Sequence, residues 1–251
     1  MARIELRDVT IYLEDGFSGT ALIEEAAPAD SDTDMNVNTV VTTNIPAEVA
    51  VVGGRFTVNT ANSTTIYTIT ATTETTNETT NIEFTPALAT ANQIPAADDV
   101  ITFLPQRLEV KIGEGNLTYS EKKEYEYLRD RGDLDTVKEG DEQPVEVSLE
   151  FVYEFIRSSS GGDITPVDAI KQIGEASAWI SSDADQCTPY AIDMRAKHCV
   201  PCGTDEDEDV LLQDFRWESL DYDVGAATIA VSGKCNVSDA TVSRSTDTEC
   251  A

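Results

Sequence analysis

The stretch Val145-Glu146-Val147-Ser148-Leu149-Glu150-Phe151-Val152-Tyr153-Glu154-Phe155-Ile156 decides the fold. Val145, Val147, Leu149, Phe151, Tyr153 and Phe155 fall at every second position, and Glu146, Ser148, Glu150, Val152 and Glu154 fill the places between. Side chains alternate across a strand, so this segment needs a core on one side and water on the other.

The same period recurs on either side of it. Leu108, Val110 and Ile112 alternate with Glu109 and Lys111, and Gly113 and Gly115 then kink the chain. Residues 122–129 alternate around Tyr125 and Tyr127; Asp130-Arg131-Gly132 reads as a turn and Lys138-Glu139-Gly140-Asp141 as another. At the N-terminus, residues 3–13 alternate with a phase slip at Asp8, the mark of a β-bulge. Asp15-Gly16 breaks that strand, and the small, acidic residues that follow, as far as Thr43, read as a loop or linker. Downstream, Thr165 is a natural N-cap with Asp168 three residues on and Pro166 between. Val167, Ile170, Ile173, Ala176 and Ile180 continue as an apolar stripe at helical spacing. Strands return over 190–197, 211–221 and 228–231, with the acidic run 205–209 read as a loop. Many strands, one helix and no βαβ alternation define a mainly β chain: an antiparallel β-sandwich or barrel with one flanking α-helix.

Residues 46–105 differ from their surroundings. Within 51–100 there are fourteen threonines and no Lys, Cys, Met or Trp. Threonine suits a pleated, half-wet surface, and short strands are expected over 55–59, 65–71, 81–85 and 100–103. The expectation is a small inserted β-barrel-like module at 46–105, dividing a host domain made of 1–45 and 106–251.

Composition narrows the chemistry. The 251 residues carry 47 acidic and 17 basic side chains, a formal net charge of −30. Such a chain does not bind phosphate backbones by counterion release. No run of eighteen apolar residues exists, and Met1–Glu5 lacks the apolar core of a signal peptide, so neither a helical membrane span nor Sec export is expected. One histidine, His198, is too few for a multi-histidine metal site. Cys199-Val200-Pro201-Cys202, with Cys187 and Cys235 outlying, has half the spacing of a zinc site, but the outlying pair is not a second CxxC. Buried free thiols, with at most one disulfide formed outside the cell, are the expectation there. Asp30-x-Asp32-x-Asp34 opens like a calcium loop but lacks the glycine and closing glutamate of an EF-hand. With no nucleophile elbow, phosphate loop or complete dinucleotide fingerprint, no enzyme, metal or cofactor is expected.

Leu108-Glu109-Val110-Lys111-Ile112-Gly113-Glu114-Gly115-Asn116-Leu117, then Tyr127-Leu128-Arg129-Asp130-Arg131-Gly132-Asp133-Leu134-Asp135-Thr136-Val137, then Gly140-Asp141-Glu142-Gln143-Pro144-Val145-Glu146-Val147 resembles the major tail tube proteins of long-tailed bacteriophages. The resemblance implies a structural virion protein made in the host cytoplasm and located in the phage tail. In that family hexameric rings stack into a hollow tube that conducts genomic DNA without specific binding. Tape-measure, terminator and distal tail proteins would be its further partners, and no membrane. Six copies would carry about −180 of formal charge, enough to repel phosphate at close range. Glu146, Glu150 and Glu154, with Glu109 on the neighbouring strand by the family's order, are the candidate acidic lumen face; an ordinary wet outer face is the other reading. A different class stays open as the alternative, a secreted or surface-layer β-rich adhesion module with acidic calcium-binding loops.

Overall fold

The computed structural model describes residues 9–23, 32–38, 54–58, 65–76, 79–88, 99–110, 116–131, 133–152, 164–183, 185, 187–199 and 206–245. In chain order the strands are β1 (Val9–Glu14), β2 (Gly19–Ile23), β3 (Asp34–Asn38), β4 (Arg55–Val58), β5 (Ile66–Thr76), β6 (Thr79–Thr85), β7 (Val100–Leu104) and β8 (Arg107–Val110). They continue as β9 (Leu117–Ser120), β10 (Lys123–Asp130), β11 (Asp133–Glu142), β12 (Glu146–Val152), β13 (Ile192–His198), β14 (Asp207–Asp223), β15 (Thr228–Cys235) and β16 (Thr241–Ser245). One short helix, α1 (Pro166–Lys171), and a 3-10 turn at Gly174–Ala178 lie between β12 and β13. The chain is mainly β, and its described strand pairs are antiparallel.

It divides into two compact units. The first comprises Met1–Glu14, Arg107–Ser177 and Asp185–Ala251; the second comprises Asp15–Gln106 and Ala178–Ala184. The second unit therefore starts well before the 46–105 module read from composition. Its strands close into a barrel in the order β2-β3-β6-β5-β4-β7. Residues 46–105 supply four of the six, and four strands leave two raw edges; β2 and β3, in the stretch read as a loop, remove them. Their inward residues Ala21, Ile23, Met35 and Val37 join Phe17, Phe56, Tyr67, Phe84 and Phe103 in one buried core. Phe56 stacks on Tyr67 at 5.2 Å and meets Phe84 edge-on at 5.4 Å. Such pairs add about 0.5–1.5 kcal/mol each beyond area burial. At the mouth of the barrel segment the buried carboxylate of Asp15 accepts from the backbone amides of Phe17 (3.1 Å), Gln106 (2.7 Å) and Ile180 (3.4 Å).

The first unit is built on an eight-stranded sheet, β8-β1-β13-β14-β15-β12-β9, with β16 also paired to β14. The deciding strand behaves as its pattern requires over its described length: Val147, Leu149 and Phe151 are buried, and Glu146, Ser148 and Glu150 exposed. The helix is shorter than its stripe suggests. Thr165 and Asp168 cap each other, but Gln172 takes a left-handed conformation (φ 53°) and ends α1 after six residues. Gly174 is left-handed as well (φ 57°), so the stripe bends instead of continuing to Ile180, and Ile173 ends 47% exposed.

Three further expectations give way. Lys138–Asp141 is not a turn; it runs inside β11, with a register shift beside it. The acidic run is strand from Asp207 onward, because cross-strand cations answer it: Arg195 Nη1 reaches Asp209 at 2.7 Å and Arg244 Nε reaches Glu208 at 2.8 Å. Asp34 lies in β3, where its carboxylate accepts from Asn81 Nδ2 at 3.2 Å. The slip expected at Asp8 lies outside the described residues.

A buried ion network ties the strands of the sheet. Glu14 Oε1 accepts from Arg107 Nε at 2.7 Å and Oε2 from Arg195 Nε at 2.9 Å, with the Glu14 side chain 1% exposed. Burial alone would lower the pKa of Arg195, but the Glu14 and Asp209 carboxylates outweigh it and hold the guanidinium above its ordinary value. Neither the strand pattern nor any motif marks this network, because its members are 181 and 14 residues apart along the chain.

Candidate assembly surface

Two strands stand apart from the large sheet of their unit. β10 and β11 form a two-stranded ribbon of their own. Register pairs Tyr125 with Glu139, Tyr127 with Val137 and Arg129 with Leu134, across bulges that keep the alternation in phase. Paired residues share a face, so Tyr125, Tyr127, Leu134 and Val137 all project on one side. They are 48%, 57%, 67% and 54% exposed. Glu124, Glu126, Thr136 and Lys138 occupy the other side, also exposed.

The ribbon's root is fastened. Lys123 Nζ lies 3.4 Å from Asp239 Oδ1, and that hydrogen bond raises the lysine's pKa. Gln143 Nε2 donates to Glu124 Oε2 at 3.4 Å, and Ala240 N to Glu121 Oε1 at 2.8 Å. An isolated two-stranded hairpin is marginal in water and gains stability when its apolar face is covered. The alternation at Tyr125 and Tyr127 is legible in the sequence as a strand and nothing more. The missing signal was the register that puts Leu134 and Val137 beside them.

The candidate acidic face is changed by the structure in two ways. Glu109 is exposed on β8 but is not beside β12: β1, β13, β14 and β15 lie between, about 24 Å at ~4.8 Å per step. Glu146 is not a lone carboxylate; Lys122 Nζ sits 2.5 Å from its Oε2 and lowers its pKa. Glu154 lies outside the described residues. Glu150 keeps the exposed position its pattern demands, with no ion-pair partner among the described residues.

What surrounds Glu146 is banded, not uniformly acidic, whereas the row of Glu150 runs through Ala230 to exposed Asp221 and stays acidic. One row crosses four strands as Thr118, Ser148, Ser232 and Ser219, with the last two hydroxyls 2.8 Å apart. The next row runs Ser120, Glu146, Lys234 and Arg216, and Lys234 Nζ pairs with Glu218 at 3.4 Å. Between them lies a shallow groove of about 480 Å³. Its charges neutralise one another locally, which leaves a wettable surface with little net attraction for phosphate.

Among the described residues the cysteines do not gather as a thiolate cluster, and Cys202 and Cys250 lie outside them. Cys199 is in a disulfide, Cys187 is an exposed free thiol, and Cys235 is a buried one. Burial, with Asp193 and Asp214 nearby, pushes the Cys235 pKa up to about 12, so it is neutral and inert at ordinary pH. No group of metal-binding side chains occurs among the described residues. No helix among them is long and apolar enough to cross a membrane. Comparison with protein-family models, curated proteins and solved structures gives no match to this chain.

Proposed function

We propose that the protein is a self-assembling structural subunit of the tail-tube kind, forming hexameric rings that stack into a conduit for phage genomic DNA. The carrying observation is the β10–β11 ribbon, anchored at its root and apolar on a face that its own chain leaves in water. A subunit that assembles covers such a face; a monomer gains nothing from keeping it. Among the described residues the sheet's terminal strands, β8 and β9, are open edges of the kind that rings remove. The banded hydroxyl and ion-pair face around Glu146, with the acidic row of Glu150 and Asp221 beside it, suits a wall past which DNA slides.

Negative-stain electron microscopy of the purified protein tests this reading. Rings or tubes are expected, and a strictly monomeric protein at high concentration defeats it. The disulfide at Cys199 favours the second reading, a surface adhesion module, because disulfides persist in oxidising surroundings. Calcium-dependent melting would distinguish that module.

A further inference from the structure

The ribbon's apolar face calls for an opposite surface, and the first unit carries one. On β14, Trp217, Leu220 and Tyr222 register opposite Gly233, Val231 and Ile229 of β15, on the side that elsewhere forms the buried core. There the covering runs out: Trp217 is 43% and Tyr222 50% exposed. Between the two rings stands the ammonium of Lys171, the last residue of α1, 5.7 Å from each ring centroid and 3.3 Å from the Tyr222 hydroxyl. Exposed Ile173 follows two residues on. Asp221 and Asp223 register with Ala230 and Thr228 on the other side of the strand, so this face presents aromatic surface around a fixed cation.

We propose that the apolar face of the β10–β11 ribbon docks on the Trp217–Lys171–Tyr222 patch of a second copy of this chain; the inference rests on the self-assembly reading above. Charge selects this pairing over ribbon against ribbon. The two ribbon strands as a whole carry eight carboxylates against three cations, so two whole ribbons repel through their net charge, with Arg129, the partner of Leu134, one cation on the apolar face itself. The patch offers the opposite sign. Glu139 shares the ribbon face with Tyr125 and Tyr127 and supplies the carboxylate that Lys171 would meet. Ring and alkyl contacts from Tyr127, Leu134 and Val137 would cover Trp217 and Tyr222, the residue types that dominate interface energetics. Ribbon and patch are different surfaces, so the contact is head-to-tail. Each docked copy still offers a ribbon or a patch, and growth continues until a ring closes.

Site-directed cross-linking tests this. In a background where exposed Cys187 is serine (C187S), chains carrying Y127C are mixed with chains carrying W217C and treated with a short bismaleimide. Both positions are exposed, and circular dichroism checks that the fold persists. A heterodimer band in the mixture, absent from either chain alone, is expected. E139K should lower its yield about tenfold, and K171E on the other chain should restore it, as expected of a charge pair. Cross-linking of Y127C chains with each other would overturn the proposal in favour of ribbon stacking. No cross-link, from mixed Y127C and W217C chains that light scattering shows still to assemble, would overturn the docking and leave the tube reading standing. A native protein that stays monomeric would end both.

Discussion

The barrel and the ribbon are made of the same kind of strand and solve opposite problems. In the barrel, six strands close on one another, every described edge is paired, and five aromatic rings turn inward. In the ribbon, two strands pair, among the described residues, only with each other and turn two tyrosines, a leucine and a valine outward. A barrel completes its own hydrophobic burial; a ribbon defers it to another molecule. Stability is therefore expected to reside in the first and association in the second, and substitutions should separate the two.

The largest expected effect comes from excising 46–105 alone. That removes β4 to β7 and leaves β2 and β3 with open edges and exposed core residues, so the product should aggregate on expression, as sedimentation would show. Next is Phe56→Ala, which empties the centre of the barrel's aromatic cluster. A loss of about 3–5 kcal/mol is expected by urea unfolding, with ribbon-mediated assembly retained where the fold survives. The third is smaller in stability and larger in function. Leu134→Asn with Val137→Thr on the exposed ribbon face should move the monomer's unfolding free energy by no more than about 0.5 kcal/mol. Sedimentation velocity should nonetheless show assembly abolished; unchanged assembly would remove the ribbon from its role. The smallest concerns the thiols. Cys187 should react with an alkylating reagent at pH 7 and Cys235 should not, read by peptide mass mapping. The raised Cys235 pKa gives a stabilisation present below the thiol's ordinary pKa of 9.0 and lost as pH rises toward about 12. The native fold should therefore protect Cys235 until the alkaline end of that range.

Legibility followed the period of the sequence. β12 was readable because one face is apolar at every step, and the Thr165–Asp168 cap was readable because capping is local. β2 and β3 were not: Gly19-Thr20-Ala21-Leu22-Ile23 is short, and Asp34-Met35-Asn36-Val37-Asn38 hides two buried residues among polar ones. Closure of the barrel, not local propensity, makes them strands. The helix was over-read because apolar spacing says nothing about a left-handed Gln172. At the candidate sites, alternation found the exposed side of Glu146 and Glu150 but not Lys122, which comes from another part of the chain. Placing Glu109 beside them required strand order, which no single segment contains.

One pairing bears on how such a chain came to be. Glu14 and Arg107 are register partners at the adjoining ends of β1 and β8, and everything from Asp15 to Gln106 is an excursion between them. Asp15 and Gln106 meet again at its mouth, where the Asp15 amide donates to the Gln106 carbonyl at 3.1 Å. Were the excursion absent, β1 and β8 would be an ordinary hairpin awaiting a two-residue turn. A gene could thus acquire or exchange the barrel at a single point without altering the register of the large sheet. The short Ala178–Ala184 segment, which belongs to the barrel's unit, would be the remaining piece to co-adapt.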